Sequence, residues 1–217
     1  MKIKQTLKAA AFTAITFFAT SGGIALAGDV IRIASPYKTT TLDPVRSASA
    51  GNIETFGQLY SRVFRRAADG SLAPGLAKSW DLAADGKTIT LNLRDAKFSD
   101  GSALTSEDVA FSLLRVRDHE KSAYGVTMKQ MADAKPSGAN KVIITLKNPS
   151  APFLGNLEVF NVGIVSKKDV EARGDEIAFS KSPLTSGPYM VKEWLPGDRL
   201  ILAANPNYWR TGYPKNA

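Results

Sequence analysis

The chain has 217 residues, 44% of them apolar, which is enough to bury the core of one domain or of one large domain with a subdomain. It has no cysteine, which excludes a disulfide framework, a thiolate metal site, a cysteine nucleophile and a lipid-modified cysteine anchor. Its formal net charge is +8, but the basic residues are dispersed and no basic run is interleaved with stacking aromatic residues, so a solvated surface is favoured over binding to nucleic acid.

The first 27 residues have the three-part build of a secretory signal peptide. A basic start with Lys2, Lys4 and Lys8 precedes an apolar run at 9–19, and a small-x-small cleavage site follows at 25–27. A membrane anchor is the alternative, but 11 apolar residues are fewer than the roughly 20 that span a bilayer. We therefore expect signal peptide 1–27 and a mature chain 28–217. Without the three lysines, 25 basic and 20 acidic side chains give that mature chain a formal charge of +5.

The mature chain begins with a predicted strand at 29–34 and a loop rich in hydroxyl groups. That loop contains Tyr37, Thr39, Thr40 and Thr41 and ends at Leu42-Asp43-Pro44. The threonines could line a ligand cleft, or they could only satisfy local backbone groups while Pro44 fixes a turn. Apolar residues at helical spacing then predict a helix over 48–64, in which Tyr60 is favoured as a packing residue over a ligand contact.

The stretch 77–114 reads as strand, turn, strand, loop and helix. Alternation around Trp80 and again at Ile89, Leu91 and Leu93 predicts two strands, and Asp85-Gly86 between them predicts a hairpin. Thr105 precedes Asp108 by three residues, which indicates a capping box at the start of a helix over 105–118.

Later elements follow from the same patterns. Strands are predicted at 127–134, 141–147 and 162–165, a short helix at 151–160, and a further helix from Ser166 through Arg173. A hairpin is predicted to join 190–194 to 200–202 across Pro196-Gly197-Asp198, and Tyr208 and Trp209 are expected to anchor the core.

Several spaced motifs carry a resemblance to a known family. They are Leu42-Asp43-Pro44, Ala77-x-Ser79-Trp80, Asp85-Gly86-Lys87-Thr88, Leu93-Arg94, Phe98-Ser99-Asp100-Gly101, Thr105-x-Glu107-Asp108-Val109, Gly187-Pro188-Tyr189, Trp194, Gly197 and Asn205-Pro206-x-Tyr208-Trp209. Together they resemble the peptide/nickel class, family 5, of extracytoplasmic solute-binding proteins of ABC importers. One departure is Leu184, which stands where family members carry the first glycine of Gly-Thr-Gly-Pro-Tyr.

The resemblance implies an α/β fold of the type II periplasmic binding-protein kind, with a mixed sheet. It covers 30–213, whereas the family's proteins are about twice as long or more, so we expect only the first lobe here, with the second lobe missing. Either the product is truncated or a partner chain supplies the rest. The implied function is to capture a di- or oligopeptide-like solute in the periplasm and deliver it to ABC permease subunits in the inner membrane, without cofactors and without chemical change.

The resemblance also implies where the ligand cleft lies. The candidates are residues of the two loops at its rim: Tyr37, Thr39, Thr40, Thr41, Ser186, Gly187 and Tyr189. An acidic partner for a peptide's ammonium group is expected only from the absent later part, so this chain by itself is expected to bind solute poorly.

No catalytic or metal constellation emerges from the sequence. His119 is the only histidine, so neither a serine-hydrolase base pair nor a transition-metal site can be completed around it. Two rivals of other classes remain: a secreted interaction module that keeps the fold without transport, and a periplasmic hydrolase dependent on His119.

Overall fold

The computed structural model of the protein describes residues 31–173 and 181–215. The predicted signal peptide, 1–27, lies outside the described residues. The helices are α1 (Ala50–Leu59), α2 (Ser106–Asp118), α3 (Gly125–Met128) and α4 (Lys167–Arg173), with 3-10 helices at Ala151–Glu158 and Phe160–Val162. The strands are β1 (Phe64–Arg66), β2 (Leu72–Pro74), β3 (Ala77–Leu82), β4 (Thr88–Leu93), β5 (Met131–Pro136), β6 (Lys141–Leu146), β7 (Tyr189–Leu195) and β8 (Arg199–Ala204).

A four-stranded antiparallel sheet in the order β3-β4-β6-β5 forms the centre of the molecule. Strand β4 alternates strictly, and Ile89, Leu91 and Leu93 point into the core, as the sequence predicts. Helix α2 covers this face, because Val109 and Leu113 recur at helical spacing and are both fully buried. The sheet and α2 together therefore form the main hydrophobic core.

The start of α2 is fixed by the predicted capping box. The Thr105 hydroxyl accepts a hydrogen bond from the Asp108 N–H at 3.3 Å, and the Asp108 carboxylate accepts one from the Thr105 N–H at 2.8 Å. A second carboxylate oxygen of Asp108 accepts from the Lys167 N–H at 2.9 Å. The helix start is thereby tied to the segment that leads into α4.

A smaller apolar cluster lies between α1 and the hairpin of β7 and β8. Leu42, Phe56, Leu59, Tyr60 and Val165 are its buried members. Tyr60 is 2% exposed, so the prediction that it is a packing residue is confirmed. The hairpin itself is a two-stranded antiparallel sheet, as predicted, and it contributes half-buried side chains such as Trp194 and Leu202.

Three predicted strands are wrong in part or in whole. Residues 31–34 are irregular, and Ile31 and Ile33 are 61% and 83% exposed, because no described strand pairs with them. Helix α3 occupies the start of the predicted strand 127–134. Met128 and Met131 are both fully buried, and their separation of three residues is the spacing of a helix face, not of a strand face. The four consecutive residues 162–165 are all buried, so the segment lacks the alternation of buried and exposed residues that a half-buried strand shows.

The architecture is α/β, as predicted, but the mixed sheet is not observed among the described residues. Each pair of strands that the structure describes is antiparallel. The predicted strand at 29–34 is not formed over its described residues. Four of the described pairs join strands that are consecutive in the chain, and the fifth joins β4 to β6. Within 31–173 and 181–215, none of the helices has both the length and the apolar character needed to cross a bilayer.

Replacing Thr105 by alanine removes the hydroxyl half of the capping box, so we expect the free energy of unfolding to fall by about 1 kcal/mol. Thr105→Ser keeps the hydroxyl and serves as the matched control. Urea unfolding followed by circular dichroism measures both variants; equal stability of Thr105→Ala and the parent chain would show that the cap contributes nothing.

Candidate functional site

The hydroxyl-rich loop lies along the first turns of α1 and is bonded to it through side chains. Asn52, buried inside α1, accepts from the Thr40 N–H at 2.8 Å and donates to the Thr40 hydroxyl at 3.0 Å. The hydroxyls of Thr39 and Thr55 lie 2.8 Å apart. The Thr41 hydroxyl accepts from the Asp43 N–H at 3.1 Å. The loop is therefore held in a defined shape although it contains no helix or strand.

A buried ion pair fixes the end of this loop to α2. Both guanidinium Nη groups of Arg115 donate to the Asp43 carboxylate, at 2.8 and 2.7 Å. The side chains are 6% and 0% exposed. A bidentate pair of this kind fixes orientation as well as distance. The Leu42-Asp43-Pro44 motif is thus locked to the helix that covers the central sheet.

Tyr60 adds a third attachment from the end of α1. Its hydroxyl donates to the Leu42 carbonyl at 2.6 Å. Burial raises the pKa of Tyr60 well above its ordinary value, and the charge of Asp43 acts in the same direction while Arg115 opposes it. The hydroxyl therefore stays protonated and remains a donor at physiological pH.

The carbonyls that follow Asp43 also have fixed partners. The Asn161 amide donates to the carbonyls of Pro44 and Ser47, at 2.9 and 2.6 Å. The Ala123 N–H donates to the Val45 carbonyl at 2.8 Å. The loop is consequently anchored to α1, to α2 and to the 3-10 helix at Phe160–Val162.

Ser186 and Gly187 pack against the other end of α1. Ser186 is 1% exposed; its hydroxyl donates to the Ile164 carbonyl at 2.6 Å and accepts from the Ser61 N–H at 3.0 Å. The Gly187 N–H donates to the Leu59 carbonyl at 2.8 Å. A Cβ at Gly187 would lie 2.5 Å from the carbonyl carbon of Leu59, so only glycine permits this close approach.

The seven predicted cleft residues thus share one scaffold, α1, but occupy two places on it. Thr39, Thr40 and Thr41 lie beside its first turns, with Tyr37 just before them and 55% exposed. Ser186 and Gly187 are buried at its far end, and Tyr189, the first residue of β7, is half-buried.

Three residues that build this site were missed by the sequence analysis: Asn52, Arg115 and Asn161. All three are polar and buried, with relative exposures of 0%, 8% and 1%, respectively. For Asn52 the available signal was a polar residue on the apolar face of a predicted helix, because such groups require partners. Arg115 lies opposite the apolar stripe of its helix, so the sequence pattern gave no such signal there.

Among the residues that the structure describes, no three histidine, aspartate or glutamate side chains group in a way that could hold a metal ion. The His119 ring nitrogen Nδ1 accepts from the Lys121 N–H at 3.0 Å, which is a local turn contact. The arrangement can position hydroxyl and backbone groups, which is the chemistry of binding.

Comparison with known proteins assigns this fold to the class of extracytoplasmic binding proteins. Residues 71–217 match the family described as bacterial extracellular solute-binding proteins, family 5, middle. The chain belongs to this family. It is 29% identical over 195 residues to the nickel-binding periplasmic protein of Escherichia coli K12, covering 86% of this chain and 37% of that protein. It is 28% identical over 219 residues to the periplasmic oligopeptide-binding protein OppA of the same organism, covering 87% of this chain and 40% of that protein.

Solved structures give the same result. The binding protein AgaA of A. tumefaciens R10, in complex with agropinic acid, superposes with a TM-score of 0.77 at 26% identity, over 82% of this chain and 36% of that one. NikZ of Campylobacter jejuni, in complex with Ni(L-His), superposes with a TM-score of 0.71 at 26% identity, over 80% of this chain and 35% of that one. The predicted type II binding-protein fold is confirmed, and the chain spans between a third and two fifths of these relatives.

Replacing Arg115 by methionine removes the bidentate partner of the buried Asp43 carboxylate and leaves it Arg46, whose Nε lies 4.0 Å away. We expect the free energy of unfolding to fall by about 3–5 kcal/mol.

Arg117→Met is the matched control on the same helix. Arg117 pairs with the exposed carboxylate of Asp118 and donates to the carbonyls of Met131 and Ala132, and losing these partly exposed contacts costs about 1–2 kcal/mol. Chemical unfolding compares the two variants; similar losses would contradict the dominance of the buried pair.

The protonated Tyr60 predicts an alkaline loss of stability. Above pH ~10 an unfolded tyrosine loses its proton, whereas folded Tyr60 keeps it, so the free energy of unfolding falls as the pH rises. In Tyr60→Phe this component of the fall is absent, although the variant starts about 1 kcal/mol lower because Leu42 loses its donor. Tyr37→Phe, at an exposed position, keeps the component; an unchanged alkaline profile in Tyr60→Phe would refute the assignment.

Proposed function

We propose that this chain forms the first lobe of a periplasmic substrate-binding component that captures a peptide-like solute and delivers it to an ABC permease. Membership of family 5 is the observation that carries the proposal, since the family consists of solute-binding proteins. The names of relatives include an oligopeptide-binding and a D,D-dipeptide-binding periplasmic protein, which supports a peptide-like solute.

The mechanism follows from a cleft between two lobes. One wall is the loop that α1, α2 and Asn161 hold in place, and the other wall belongs to the part of the family fold outside this chain. A ligand that contacts both walls favours the closed form, and closure excludes water from it. The solute is proposed to leave unchanged, because the family consists of solute-binding proteins.

Within this wall the candidates divide by exposure. Tyr37 and Thr40 are exposed, and Thr39, Thr41 and Tyr189 are half-buried, so these five are proposed to face the solute. Ser186 and Gly187 are buried against the end of α1 and are proposed to act by positioning Tyr189. The solute itself is not proposed more narrowly, since similar relatives are named for nickel and for peptides.

Export is the remaining part of the proposal. Relatives are named as periplasmic proteins, which supports a periplasmic location. We propose that the chain reaches it through the signal peptide at 1–27 and without a lipid-modified cysteine, since the sequence contains no cysteine. The permease is proposed as the partner on the strength of the family alone. Genes for a permease and an ATPase beside this gene would support import, and a locus that lacks both would argue for the rival interaction module.

Because one wall is present, we expect the 217-residue chain to bind peptides weakly. Isothermal titration with a mixed library of di- and oligopeptides should give no heat signal at micromolar concentrations. The E. coli OppA relative, which is more than twice as long, is the positive control. Micromolar affinity of this chain would refute the requirement for a second wall.

A further inference from the structure

A cluster of arginines surrounds Tyr208 and Trp209. The guanidinium of Arg94 lies 4.2 Å from the centre of the Trp209 ring, and Tyr208 packs against that ring at 5.3 Å. The Nε of Arg94 donates to the Gly75 carbonyl at 2.7 Å, and the Nε of Arg65 donates to the adjacent Pro74 carbonyl at 3.1 Å. Backbone carbonyls at 74–75 thus hold both guanidinium groups.

Two more arginines complete this surface, which we call the arginine patch: Arg62, Arg65, Arg94 and Arg210 around Tyr208 and Trp209. Burial raises the pKa of the Tyr208 hydroxyl, and the charges of all four arginines act in the opposite direction, as their proximity requires. Arg62 also stacks over Phe160 at 4.2 Å. Aromatic rings and backbone carbonyls thus hold these guanidinium groups in fixed orientations.

The positive charge of the patch is not neutralised within the part of the chain that the structure describes. None of its four arginines forms an ion pair there. The carboxylate of Glu158 is bonded to Arg66, and it also acts on Arg62. With Arg66 included, five arginines lie near two carboxylates, those of Glu158 and of Asp95, which follows Arg94 in the chain.

A groove of about 570 Å³ adjoins the patch and shares Trp209 with it. Its floor is apolar, with Ala96 and Leu104, and Lys97 adds a further positive charge. Asp95 also lines the groove, where its carboxylate accepts from the Asn140 amide at 3.2 Å. The surface therefore combines an apolar pocket with fixed guanidinium groups along one side.

We propose that the arginine patch and this groove dock an acidic segment of a partner polypeptide, whose apolar side chain enters the groove while its carboxylates pair with the arginines. Fixed guanidinium forks suit carboxylates. Arginine, tyrosine and tryptophan are the side chains that most often dominate protein interfaces. A bilayer surface fits less well, because the apolar area lies inside a groove that a flat surface does not enter.

The docking surface is distinct from the proposed solute-binding residues, because none of its residues belongs to the loop over α1 or to the seven cleft candidates. The two are joined at one point, where the Trp209 Nε1 donates to the Ser61 hydroxyl, and Ser61 is bonded to Ser186. A failure of solute binding leaves it intact, and a failure of docking leaves the proposed function intact. A docking site of this kind fits either a transporter component or an interaction module.

Fluorescence anisotropy of a labelled peptide, Glu-Glu-Phe-Glu-Glu blocked at both ends, tests the docking with the full chain at ~50 mM salt, where screening is weak. We expect saturable binding that is at least about tenfold weaker for the Gln-Gln-Phe-Gln-Gln counterpart and for Glu-Glu-Gly-Glu-Glu. The double variant Arg65→Gln/Arg210→Gln should lose affinity to the same degree.

Lys87→Gln/Lys129→Gln is the matched control, because it removes two charges at the opposite end of the four-stranded sheet from Arg94. It should bind the acidic peptide within about twofold of the parent chain, and Arg65→Lys should bind less well than the parent because it loses the fork. Absent binding, equal binding of the glutamine peptide, or an equal loss in the lysine control would overturn the proposal. So would stronger, arginine-dependent binding to vesicles of phosphatidylcholine with phosphatidylglycerol, which would assign the surface to a membrane.

Discussion

The ion pair between Asp43 and Arg115 is the constraint on which the candidate site depends. It joins two residues 72 positions apart and lies where water does not reach. A buried pair gives little net stability compared with an apolar replacement, but it penalises every arrangement in which one charge lacks the other. The loop between the first residues and α1 therefore has one favoured position, and Tyr60 and Asn161 reinforce it. A binding wall of fixed shape follows from this constraint.

Local patterns made much of the fold predictable from the sequence. Strict alternation in β4, the apolar stripe of α2, the capping box at Thr105 and the hairpin of β7 and β8 all depend on neighbours within a few residues. Some of the motifs that carry the resemblance also have a locally set conformation, such as the turn at Asp85-Gly86 and the helix start at Thr105. The family assignment rests on those motifs and is confirmed over residues 71–217.

Contacts between distant residues were not predictable in the same way. Ser186 meets Ser61 across 125 positions, and no periodic pattern identifies such a pair. The hydroxyl-rich composition of residues 39–41 indicated a possible cleft but could not show that Asn52 and Thr55 take up much of its bonding capacity. Ile31 and Ile33 have the β-branched side chains that are typical of a strand. A strand forms only where a neighbouring strand pairs with it, and none of the described strands pairs with residues 31–34.

The chain thus combines a rigid loop over α1 with a separate arginine patch on a shared α/β framework. Rigidity before binding lowers the entropic cost of capturing a solute, and it is the central claim of this account. Hydrogen exchange of the unliganded chain tests it most directly at the Thr40 and Val45 amides, which are bonded to Asn52 and Asp43. The account predicts protection close to that of the β4 amides. Exchange as fast as in an unfolded peptide would show that the loop is ordered only by its ligand and would contradict the account.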